Sequence, residues 1–125
     1  MSITVINLIP TFTTALTDKT LFRGTTVLYP LSVNDPEGFT VIVSYTPVNT
    51  WMTISGSTLS IAPPIATLTG IYPITVTLFD GAMYATSTFN VIVNNNPPIF
   101  TSTPLLDQTV SVGATGIYLI PCSDP

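Results

Sequence analysis

The sequence predicts an all-β fold: an antiparallel Greek-key β-sandwich of one complete repeat, followed by the opening strands of a second. Three observations carry that reading. Apolar residues never recur at the helical interval, and strand-like runs separated by turn signals follow one another about every ten residues. The charged fraction is 6%, against roughly 25% in ordinary soluble proteins. In its place 23 Thr and 10 Ser supply the polarity, and Thr, branched at Cβ, favours the extended chain. The third observation is that part of the chain repeats itself.

Taken in order, residues 2–7 form a candidate extra edge strand. Residues 11–22 read as a broken first strand and residues 25–33 as the second. Asn34-Asp35-Pro36-Glu37-Gly38 is a turn: Asn and Asp bond their own backbone, Pro presets φ, and Gly accepts positive φ. Residues 39–46 follow as the third strand. Trp51-Met52-Thr53-Ile54 alternates bulky with polar residues, and Ser55-Gly56-Ser57 separates it from Thr58-Leu59-Ser60-Ile61, which makes a hairpin ended by Pro63-Pro64. The clearest strand is Gly70–Phe79. Its period of two puts Ile71, Pro73, Thr75 and Thr77 on one face and Tyr72, Ile74, Val76 and Leu78 on the other, with the Tyr72 face the candidate core. Asp80-Gly81 signals a second hairpin, and residues 83–93 return as the last strand of the sandwich.

Asn94-Asn95-Asn96-Pro97-Pro98 is then a short, stiff connector. Beyond it the sequence begins again. Residues 7–36 laid on residues 96–125, an offset of 89 without a gap, match at 10 of 30 positions. Among the matches are Leu16/Leu105, Asp18/Asp107, Gly24/Gly113, Tyr29/Tyr118 and Asp35/Asp124. A period of this length indicates tandem modules. The expected organisation is a complete repeat over residues 1–96 and the first two strands of a second over residues 97–125.

Leu106-Asp107-Gln108-Thr109-Val110-Ser111-Val112-Gly113, followed by an apolar strand ending in Asp124-Pro125, resembles the opening of the dystroglycan-type cadherin-like and immunoglobulin-like extracellular repeats. The first repeat carries the same signature from Thr17-Asp18-Lys19-Thr20 through Gly24 to Asn34-Asp35-Pro36-Glu37-Gly38. Trp51, Gly70-Ile71-Tyr72-Pro73-Ile74-Thr75-Val76-Thr77 before Asp80-Gly81, and Val91-Ile92-Val93 running into Asn96-Pro97-Pro98 extend it over nearly the whole chain. The resemblance implies an Ig/cadherin-like Greek-key β-sandwich, an extracellular or cell-surface location, and a role as adhesive module or spacer. It also implies calcium where modules join, because true cadherins hold the ion there. The residues do not repeat that pattern well. A hard cation wants six to eight oxygens with charge among them, and the connector offers Ile92, Val93 and three asparagines. Asp35, Glu37, Asp80 and Asp124 remain weak calcium candidates, and turn-capping or solvation accounts for each of them more simply.

Chemistry is conspicuously missing. Without histidine the commonest general base and zinc ligand are absent. The carboxylates stand singly among turns, and the glycines punctuate turns without forming a phosphate loop. No catalytic residue and no cofactor are expected, and the protein is read as a non-enzyme. A net charge of −4, with Lys19 and Arg23 its only cations, leaves no basic patch for nucleic acid or anionic membrane. No apolar run reaches the roughly 20 residues a spanning helix needs, so no membrane insertion is expected. Met1-Ser2-Ile3-Thr4-Val5 lacks the features of a secretion leader. Cys122 cannot form an intrachain disulfide and reads as a buried small hydrophobe. Tyr45, Trp51, Tyr72, Tyr84 and Tyr118 offer stacking platforms for a surface glycan, although core packing accounts for most of them. Thr11, Thr13, Thr14, Thr17, Thr101 and Thr103, near proline, are candidate O-glycan acceptors.

The opening strands of the second repeat lack partner strands in the sequence at hand. Left open they would expose Leu105, Leu106, Val110, Val112, Ile117, Leu119 and Ile120, each worth roughly 1.5–3 kcal/mol on burial. With Pro97, Pro98, Ile99 and Phe100 these form a candidate intersubunit surface. The leading expectation is β-strand addition to another copy, giving a head-to-tail homopolymer or surface fibre. The alternative is an adhesion module or spacer from a longer protein, packed on neighbouring repeats of the same type.

Overall fold

A computed structural model describes residues 1–125. It contains β-strands and no α-helix, hence no helix long and apolar enough to cross a membrane. The chain divides into two units, Met1–Asn95 and Asn96–Pro125.

The first unit holds nine strands: β1 (Thr11–Phe12), β2 (Lys19–Phe22), β3 (Val27–Pro30), β4 (Val33–Asn34), β5 (Ile42–Thr46), β6 (Met52–Ser55), β7 (Thr58–Ile61), β8 (Gly70–Phe79) and β9 (Tyr84–Asn94). They form a four-stranded sheet in the order β2-β9-β8-β5, a three-stranded sheet in the order β3-β7-β6, and a short β1-β4 pair. Each sheet turns one face inward, as alternation demands. Leu59, Ile61, Ile74, Val76, Leu78 and Val91 are wholly buried (0% exposed), and Leu21, Tyr29, Leu31, Val43, Met52, Phe89 and Val93 complete the core. Tyr72, Ile74, Val76 and Leu78 face inward as expected, with Tyr72 half-buried. The β6-β7 hairpin pairs Ser55 with Thr58, leaving Gly56 and Ser57 as the turn, and Gly56 takes φ 58°.

Five features depart from the sequence reading. Residues 2–7 form no strand, and Ile3, Val5 and Ile6 lie exposed. Their strand propensity finds no neighbouring backbone; the first pairing is Thr11 with Asn34. The third strand starts at Ile42, three residues after the predicted 39. The sandwich is not wholly antiparallel, because β2 runs parallel to β9 from Lys19↔Val91 to Phe22↔Asn94. In the second unit the two predicted strands shrink to β10 (Ile99–Phe100) and β11 (Cys122–Ser123), paired antiparallel. Cys122 is exposed rather than buried, since no strand of that unit covers it.

Candidate functional site

Residues 7–36 show how a repeat opens. β1 lies against β4, and Thr13 N–H donates to Ser32 O (2.9 Å). Gly24, at φ 76°, turns the chain after β2, and Thr25 N–H closes that turn on Phe22 O (3.2 Å). Residues 17 and 29 are joined by Thr17 N–H donating to the Tyr29 hydroxyl (2.8 Å). The Tyr29 ring meets Phe89 edge-on (5.3 Å) and carries Lys19 Nζ 4.0 Å above its centroid.

The second unit repeats the glycine turn and the tyrosine bond at the offset of 89, while its strand pair is shifted by one residue. β10 lies against β11, and Thr101 N–H donates to Pro121 O (2.9 Å). Gly113 takes φ 82°, and Ala114 N–H reaches Ser111 O (3.0 Å). Leu106 N–H donates to the Tyr118 hydroxyl (3.3 Å), across the same interval of 12 residues as in the first unit. What differs is cover. Leu21, Tyr29 and Leu31 are 4%, 9% and 5% exposed, whereas Val110, Tyr118 and Ile120 at the matching positions are 52%, 41% and 55%.

This correspondence sorts the candidate intersubunit residues. Leu105, Val110 and Ile120 occupy the places of inward-facing Leu16, Leu21 and Leu31. Leu106, Val112, Ile117 and Leu119 match Thr17, Arg23, Leu28 and Pro30, none of which is buried. Pro98, Ile99, Phe100 and Cys122 line an apolar concavity of about 200 Å³; Pro97 precedes it. Val110 leans over Gly116, where a Cβ would come within 2.5 Å of its Cγ2. Tyr118 was absent from the sequence-derived surface, although its identity with Tyr29 at the repeat offset was the signal that could have placed it there.

The carboxylates serve backbone donors. Asp35, 7% exposed, accepts Glu37 N–H (2.9 Å) and Phe39 N–H (3.0 Å) through Oδ1, while its buried Oδ2 has no partner. Glu37 Oε1 accepts Leu8 N–H (3.0 Å). Asp80 Oδ1 accepts Ala82 and Met83 N–H (both 2.7 Å), and Oδ2 accepts Asn7 Nδ2 (2.9 Å). The Met83 bond holds the Asp80 carboxyl below its ordinary range, against an opposing push from desolvation. Asp18 is held low in the same way by Asn90, whose backbone N–H donates at 2.7 Å and side chain at 3.2 Å. Asp124, in the second unit, is exposed. No three His, Cys, Asp or Glu side chains converge into a group that could hold a metal ion.

All six candidate O-glycan threonines are exposed, and the Thr17 hydroxyl accepts Lys19 Nζ (3.1 Å). Among the aromatics, Trp51 and Tyr72 meet edge-on (5.4 Å) and pack against the core. Half-buried Tyr45 donates its hydroxyl to Met52 O (2.5 Å). Tyr84 instead lies at the surface, stacked on Phe79.

No protein-family model matches the chain, and no curated protein matches it. Solved structures do. The chain is similar to a fragment of human protocadherin-24, EC1-2 (19% identity, TM-score 0.58), over 95% of its own length and 61% of that chain. It is similar to titin domain M7 (15% identity, TM-score 0.51) over 73% of its length and 99% of that domain. The fold is Ig/cadherin-like. An endo-fucoidan hydrolase from glycoside hydrolase family 107 is also similar (17% identity, TM-score 0.57), and there the chain spans only 16% of the enzyme's length. At these identities the likeness concerns the fold.

Proposed function

We propose that the chain is an extracellular, non-enzymatic structural subunit that joins head to tail by strand addition, residues 97–125 of one copy entering the sandwich of the next. The observation that carries this reading is a repeat opening with its local bonds made and its inward side chains uncovered. The acceptor is the position that residues 8–36 of a neighbouring copy hold against β9 and β7, which those residues vacate on exchange. There residues 108–111 run parallel to β9 as β2 does, and residues 116–119 run antiparallel to β7 as β3 does.

The side chains fit that exchange. Val110 and Ile120 replace Leu21 and Leu31, Tyr118 meets Phe89 as Tyr29 does, and Asp107 stands where Asp18 receives Asn90. Four contacts are lost: Gln108 replaces the lysine above the tyrosine ring, Val112 replaces Arg23, which bonds Asn95, and Gly116 and Thr101 replace Val27 and Phe12, which pack against the core. Because the contact exchanges like for like and joins unlike surfaces, it propagates as a filament instead of closing as a dimer. Electron microscopy and light scattering of the full chain test this. Filaments are expected that Val110→Asp abolishes; filaments formed equally by residues 1–96 sink the proposal.

A second reading has its own support, since the protocadherin likeness extends over 95% of the chain and so into the second unit. On it the chain is an adhesion module or spacer within a longer tandem protein. It then stays monomeric at every concentration, and the polypeptide in its native source is longer than 125 residues. Neither reading requires a cofactor. Addition of calcium or a chelator is expected to leave Tm unchanged, and a rise of several degrees with calcium would assign an ion to the acidic turns.

A further inference from the structure

For residues 97–125 to enter a neighbouring sandwich, residues 8–36 of that sandwich must leave it, and the two segments are not equal occupants. The chain has two cations, Lys19 and Arg23, both within residues 8–36 and neither repeated in residues 97–125. Each is engaged. Lys19 lies over the Tyr29 ring, and Arg23 stands at the corner where β2 ends.

That corner is held through both backbone and side chain. Arg23 N–H donates to Asn94 O (3.0 Å) and Gly24 N–H to Pro63 O (2.7 Å). From the half-buried Arg23 side chain, Nε donates to Asn95 Oδ1 (3.0 Å), Nη2 donates to the same oxygen, and Nη1 reaches Thr67 O (3.5 Å). One corner thus joins the exit of β9, the residues after β7 and the loop before β8. At the offset of 89 the donor presents Val112 and Gly113, and Gly113 shares the left-handed backbone of Gly24, with φ 82° against 76°. A donor seated in this place remakes the two backbone bonds. The guanidinium bonds are not remade, because the Val112 side chain has no polar atom.

We infer that the Arg23 guanidinium is an assembly latch, holding residues 8–36 in their own sandwich and setting the concentration at which an incoming donor displaces them. The inference rests on the strand-addition reading. Burial of Val110, Tyr118 and Ile120 replaces burial of Leu21, Tyr29 and Leu31, so most of the apolar stabilisation is common to the closed and exchanged states. Contacts made by one occupant alone then weigh directly on the balance between them. A hydrogen bond from a charged donor is worth about a factor of ten. Isolated copies therefore stay closed when dilute, and exchange gains ground as concentration rises.

The test moves the arginine between the matched positions of the full chain and measures, by light scattering and electron microscopy, the lowest concentration that yields filaments. Arg23→Val removes the latch and should lower that concentration about tenfold. Val112→Arg supplies the donor with the same bonds and should lower it by a similar factor. In the Val110→Asp background, which does not assemble, Val112→Arg should leave Tm unchanged, so a general effect on stability does not explain its gain. The double variant Arg23→Val, Val112→Arg should assemble at the lowest concentration of all. Filaments that keep their sensitivity to Val110→Asp, yet form at the same concentration in Val112→Arg as in the parent, overturn the latch and leave strand addition standing. Aggregation of Arg23→Val that persists with Val110→Asp added also overturns it, since loss of fold would then be the cause. If neither the parent nor any variant forms filaments, strand addition fails and the latch with it.

Discussion

Residues 7–36 and residues 96–125 make the same turn at a left-handed glycine and the same tyrosine bond, and each pairs its ends antiparallel, in registers one residue apart. In the first stretch β7, β8 and β9 stand opposite and the inward side chains vanish from solvent; in the second nothing stands opposite. The difference separates two layers of information. Hydrogen bonds spanning about a dozen residues are written into the stretch itself, whereas burial, which supplies most of the stabilisation, depends on strands supplied from elsewhere.

Mutating matched positions sharpens or breaks that contrast. Leu21→Ala should cost about 2–5 kcal/mol in urea denaturation. Val110→Ala in the monomer should fall within about 0.5 kcal/mol of the parent; an equal cost at both sites would mean that Val110 is covered after all. Asp35→Ala removes the acceptor for two backbone donors and should cost about 1–3 kcal/mol, while Asp124→Ala should leave the melting curve unchanged. Tyr29→Phe, which deprives Thr17 N–H of its partner, should cost about 1 kcal/mol. Tyr118→Phe should be silent in the monomer and should slow assembly.

The smallest expected effect is on pH dependence. Asp18 and Asp80 have folded-state pKa values below the unfolded value of about 3.9. Their stabilisation is thus complete above that pH and is lost as pH falls through the lower folded values. Tm should decline across this acid range, and Asp18→Asn should flatten part of the decline.

Much of the sandwich was legible because its signals are local. Alternation along Gly70–Phe79 identified the core face, and Gly56 marked its hairpin. Partners distant in sequence were not legible. The parallel run of β2 along β9 joins segments some 72 positions apart, as the Asp18–Asn90 bonds show. Cys122 reads as core from its apolar neighbours, yet burial is a property of what stands opposite. Thr75 and Thr77 share a face in sequence, but their alignment with Ser44, Thr46, Thr86 and Thr88 appears only once the register of β5, β8 and β9 is known.

The parallel β2–β9 pair also bears on how the first unit carries force. Asn7 is tied to the Asp80 hairpin that opens β9, and β9 leaves at its far end beside Arg23, whose N–H donates to Asn94 O (3.0 Å). The chain therefore enters this unit at one pole and exits at the other. Tension applied through its two ends would slide β2 past β9 along their common direction. All four register pairs from Lys19↔Val91 to Phe22↔Asn94 would then be strained together instead of yielding one after another. Forced rupture is governed by the unfolding barrier and not by equilibrium stability. A module strung in this way is suited to resist a steady pull along its length.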